Sequence, residues 1–184
     1  MLGATQIGYA GSSEGVLTIS DGSLLASGAI MVGRAGTGSL VITGGESTFE
    51  SAVGFGSYSG GTGYATISGG DTTFGGNVIL GGAANTTGRL NIACGATVTF
   101  GGVVTVGSLS ISGGNATFEN NIIVGSASGA VGTFLISNGV TEGTNIFVGN
   151  RGTGNMHVFG GSTNLGGNLV IGSYSSGNGT VTVS

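Results

Sequence analysis

Lysine, proline and tryptophan are missing from this 184-residue sequence, and cysteine and histidine occur once each. Without lysine no Walker phosphate loop can be built, and no glycine run has the strand-to-helix setting of a dinucleotide site. The only cations are Arg34, Arg89 and Arg151, against seven carboxylates and a net charge of −4. Such a surface does not attract a phosphate backbone, so nucleic acid is not expected as a partner. The single thiol, Cys94, forms no internal disulfide. No apolar run approaches the ~18 residues of a membrane span. The opening MLGATQIGYAG has neither the basic nor the apolar region of a signal peptide.

What is present is glycine, 44 residues of it, beside a hydrophobic fraction of 39%. Glycine loses the most conformational freedom on folding, so the chain needs a fold that gives those residues positions to fill. Internal repetition supplies one. An aliphatic residue followed by glycine recurs at Ile7, Val32, Val53, Leu80, Val106, Val124, Val148 and Ile171, in steps of 25, 21, 27, 26, 18, 24 and 23. Each marker is followed by a run such as VLTIS, LVIT or LNIA, then a DG, GG or NG turn, then STF, TTF or ATF. The unit closes with GAIMVG, GNVILG or a close variant.

Three short period-two runs per unit are strands, and the glycine and β-branched content excludes helix. The pattern predicts an all-β fold, a single parallel β-solenoid (β-helix) spanning residues 1–184. About eight right-handed coils of ~23 residues, each with three short strands, are expected. Phe49, Phe74, Phe100 and Phe118 fall on successive coils and should stack inside, between Ala26 on one side and Gly143 and Leu165 on the other. Variable segments such as YAGSSEG, FGSYSGGTG and SYSSGNG all follow the aliphatic-glycine marker, so loops leave the rod at one corner. Only GSL at 107 to 109 lacks one.

The recurring V-G-x-x-G-T-G-x-L-x-I-x-x-G-G-x-x-x-F, clearest in VGRAGTGSLVITGGESTF at 32 to 49, resembles the repeats of bacterial type V secretion (autotransporter) passengers. The same repeats occur in surface proteins that carry a PEP-CTERM sorting signal. The resemblance covers nearly the whole chain. It implies a secreted or cell-surface β-helix of a Gram-negative-type bacterium, in keeping with a chain that holds one cysteine and a Ser/Thr/Gly/Asn-rich surface. No export signal, C-terminal barrel or sorting tail is visible, and both ends look uncapped, so either a segment of a longer surface protein or a stand-alone relative is expected.

Two features raise functional questions. Counting strand alternation places the middle residues of the closing triplets, Met31, Ile79, Thr105, Ile123, Phe147 and Val170, on the outer face. Five are apolar, and a strand apolar on both faces reads as covered on both. Met31, Ile79, Ile123, Phe147 and Val170 are therefore a candidate association stripe. The second feature is acidic. Glu46 and Asp71 share a column in adjacent coils about 4.8 Å apart, with Glu50 following, a weak candidate for a shared proton or a Ca²⁺ site.

His157 and Cys94 read as isolated surface side chains. Asn77, Asn121, Asn145 and Asn168 read as an amide ladder. The threonine column at 48, 73, 99 and 117 lacks the paired array that an ice-binding face needs. The expected function is a non-catalytic structural or adhesive module that associates with itself, end to end or laterally, as a homo-oligomer or fibre. No cofactor or metal is expected, and host or surface glycans are the other partner class. A carbohydrate-active or carbohydrate-binding β-helix and a passive passenger stalk are the alternatives.

Overall fold

The closing triplets form strands because alternation sends their outer residues to one side. Each of Ile30–Val32, Val78–Leu80 and Ile146–Val148 buries its first and third side chains and leaves the second partly exposed. In the computed structural model, which describes residues 2–81 and 86–184, all elements of the chain are β-strands. The triplets pair in parallel, in chain order, as an eight-stranded first side. It comprises Thr5–Ile7, Ile30–Val32, Val53–Phe55, Val78–Leu80, Val104–Val106, Ile122–Val124, Ile146–Val148 and Leu169–Ile171.

A second side stacks Glu14–Ile19, Thr37–Ile42, Thr62–Ile67, Thr87–Ile92, Thr153–Val158 and Asn178–Val183 with the leading halves of Ser108–Phe118 and Val131–Gly143. The third side stacks Ser23–Ala26, Glu46–Phe49, Gly70–Phe74, Ala96–Phe100 and Ser162–Leu165 with the trailing halves of the same two long strands. The result is a parallel β-solenoid with seven complete three-sided coils and two sides of an eighth. At ~4.8 Å per coil the rod is roughly 34 Å long.

One core fills the prism, drawn from all three sides: Ile30 and Val32, Leu40 and Ile42, and Phe49 belong to the same cluster. The phenylalanine column is formed as expected. Phe49, Phe74, Phe100 and Phe118 stack at centroid distances of 5.1, 5.3 and 4.6 Å with interplanar angles of 13°, 12° and 6°. Ala26 precedes Phe49 in this column, and Gly143 and Leu165 follow Phe118. Phe134, from the second side, meets Phe118 edge-on at 6.2 Å.

Glycine is used where the chain turns. Gly33, at φ +67°, ends a first-side strand in the left-handed region that other residues avoid. The register also corrects one repeat marker. Val32 and Leu80 both pair with Phe55, not Val53, so the corner residue of the third coil is Gly56 at φ +54°. Gly54 lies inside the strand, where its side-chain-free position mimics the marker.

Beside the phenylalanines, the third side points hydroxyls inward. Ser47, Thr72 and Thr141 are buried to within 1% of full coverage, and none of the three side-chain oxygens has a hydrogen-bond partner. A buried hydroxyl without a partner carries an uncompensated desolvation penalty of about 1–3 kcal/mol. Val98 occupies the position next to Thr72 in the same column. Thr72→Val is therefore expected to stabilise the chain by about 1–2 kcal/mol, raising Tm by roughly 2–8 °C in a calorimetric scan. An unchanged or lower Tm would show that the hydroxyl is satisfied.

Candidate functional site

The outward column of the first side runs Gln6, Met31, Gly54, Ile79, Thr105, Ile123, Phe147 and Val170. The five candidate stripe residues thus share one column, but Gly54 and Thr105 divide it. All five are partly exposed, because column neighbours stack against one another. The continuous apolar part is Ile123, Phe147 and Val170. Those three floor a shallow groove of about 540 Å³, rimmed by Asn121, Asn150, Ser173 and Tyr174. The Oγ of Ser173 has no partner there, and Tyr174 is 54% exposed. Beyond the groove the final coil leaves apolar side chains open. Leu169, Ile171 and Val183 are 43%, 50% and 75% exposed, whereas Ile146 and Val148, one coil earlier, are fully buried.

The acidic pair is opposed as the sequence implies: Glu46 and Asp71 are register partners, and both are exposed. Their column continues to Thr97 and Asn115, which bring no cation. Glu50 does not join them. It lies just past the end of the strand Glu46–Phe49, four residues on, or roughly 13 Å along an extended chain. Two stacked like charges without a third ligand repel across the ladder. Among the described residues, no group of three or more His, Cys, Asp or Glu is placed to hold a metal ion.

Cys94 is exposed at a turn. His157 pairs with Leu135 and Thr182 in its column and stacks on the Phe159 ring at 5.8 Å. The asparagines bridge coils: Asn145 Nδ2 donates to Asn121 Oδ1 at 3.0 Å, the Asn168 amide donates to Asn145 Oδ1 at 2.8 Å, and the Val103 amide donates to Asn77 Oδ1 at 2.9 Å.

The loop corner holds what the sequence did not reveal. The Arg34 guanidinium lies between the rings of Tyr9 and Tyr58, 5.2 and 4.7 Å from their centroids, and Arg151 lies 4.7 Å over Tyr174. These residues all come one or two positions after a corner glycine, and that common offset was the available signal. Where GSL at 107 to 109 omits the loop, a notch of about 490 Å³ opens. Ser108 lies on its floor, Arg89 at its edge, and Ser128 to Val131 form one wall. No helix of the described chain is long and apolar enough to cross a membrane.

Compared with protein-family models, curated proteins and solved structures, the chain matches none.

Proposed function

We propose that the chain is a non-catalytic structural or adhesive β-solenoid module of a bacterial surface or secreted protein, acting through association with further copies of itself. The observation that carries this reading is the apolar floor Ile123, Phe147 and Val170, three outward neighbours on one side of the rod. Contiguous apolar surface of this kind is a site of contact in soluble proteins. Stacked coils brace each inner strand on both sides, which suits a spacer more than a flexing catalyst.

Phe147→Asp places a charge in the middle of the groove, at a position whose side chain faces outward. The variant is expected to fold like the parent by circular dichroism and to remain monomeric in sedimentation velocity at concentrations where the parent associates. A parent that stays monomeric across a hundredfold concentration series would overturn the reading.

A further inference from the structure

Charge is distributed unevenly around the cross-section. Five of the seven carboxylates, Glu46, Glu50, Asp71, Glu119 and Glu142, lie on the third side or within one residue of its trailing corner, and all five are exposed. Arg34 and Arg151 lie in the loops joining first and second sides, and Arg89 is on the adjoining part of the second side. In a three-sided prism that corner stands opposite the third side. The rod is therefore polarised across its width, acidic on the third side, with all three arginines at the facing edge beside the one carboxylate Glu14. Among the described residues no arginine is ion-paired to a carboxylate of the same chain.

The tyrosines bear on how those cations are presented. Two rings, Tyr9 and Tyr58, lie against the Arg34 guanidinium, which restricts its freedom. Among the described residues, no ion pair or side-chain hydrogen bond engages its N–H donors. A planar, pre-oriented fork of donors fits a carboxylate in two parallel hydrogen bonds, and little rotamer freedom remains to be lost. Arg151 on Tyr174 repeats the arrangement near the other end. Arg34 and Glu46 belong to the same coil, with Asp71 one coil on, while Arg151 lies one coil beyond Glu142.

We propose that copies pack side by side and parallel, the arginine corner of one against the acidic third side of the next. This rests on the self-association reading and specifies its lateral mode. Arg34 meets the Glu46 level, and Arg151 reaches back across about one coil, ~4.8 Å, toward Glu142. The like-charge repulsion within the Glu46–Asp71 pair is relieved when a cation of the next copy approaches. Because the two surfaces differ, the contact does not close on itself and builds open rafts rather than a dimer.

Light scattering across protein concentration tests it at about 10 mM and about 1 M NaCl, where the Debye length falls from roughly 30 to 3 Å. The concentration needed for assembly is expected to rise at least about tenfold at the higher salt. Two variants give the specific test: one carrying Arg34→Glu and Arg151→Glu, the other Glu46→Arg, Asp71→Arg and Glu142→Arg. Each alone should stay dispersed at low salt with an unchanged circular dichroism spectrum, and their equimolar mixture should assemble. Assembly that ignores salt, or a first variant that assembles like the parent, overturns the charged contact while leaving self-association standing. A parent dispersed under every condition overturns both. Binding of polygalacturonate by the dispersed parent, lost in the first variant, assigns the corner to an acidic saccharide and also overturns lateral packing.

Discussion

Phe100→Ala is expected to lower the free energy of unfolding by about 3–5 kcal/mol, a cavity-forming loss in the middle of the rod. Phe100 is fully buried, with Phe74 at 5.3 Å on one side and Phe118 at 4.6 Å on the other. Removing its ring deletes two stacking contacts, each worth about 0.5–1.5 kcal/mol beyond area burial. The stack cannot collapse to close the gap, because the strands on either side are held at fixed spacing by the ladder. In a solenoid each coil touches only its neighbours, so the loss falls on the joints that the fourth coil makes with the third and the fifth. Urea unfolding followed by far-ultraviolet circular dichroism should show a lower midpoint and a broader transition. A loss below about 1 kcal/mol would mean that the phenylalanines are not packed as a ladder.

The second large effect is expected at Gly63. A Cβ there would overlap the Val32 carbonyl oxygen and the Gly56 amide nitrogen and come within 2.8 Å of the Phe55 carbonyl carbon. All three are backbone atoms of neighbouring coils or strands, so no rotamer change relieves the contact. Gly63→Ala is expected to cost more than about 3 kcal/mol, in the range reserved for severe single substitutions. Gly3 is the matched control. No atom lies within 4 Å of an added Cβ there, and Gly3→Ala should shift stability by no more than about 0.5 kcal/mol. Equal effects of the two would show that the close approach at Gly63 is not present.

The contrast between these glycines shows what the sequence could and could not convey. The repeat period, the parallel stacking and the phenylalanine column were legible, since identical side chains recur at the same position of successive units. The register of the third coil was not: Val53-Gly54 copies the aliphatic-glycine marker, and only pairing distinguishes it from Phe55-Gly56. The apolar stripe and its interruption at Thr105 were legible, but its division at Gly54 depends on that same register. The distance of Glu50 from the acidic pair follows from strand geometry once the strand's end is known.

Two features lay beyond pattern reading. Tyr9, Arg34 and Tyr58 share an offset from the corner glycine but come from loops of different length, so the offset alone does not show that they meet. Ser47, Thr72 and Thr141 sit at alternating strand positions that predict burial. Their polarity conceals it, and the lack of partners is visible only in three dimensions.

Negative-stain electron microscopy of the purified chain over a concentration series, at low salt, tests the central functional claim most directly. Assemblies many times longer or wider than a rod of roughly 34 Å, growing with concentration, are the expected result. Short, monodisperse rods at every concentration would contradict self-association and leave a spacer that carries its function elsewhere.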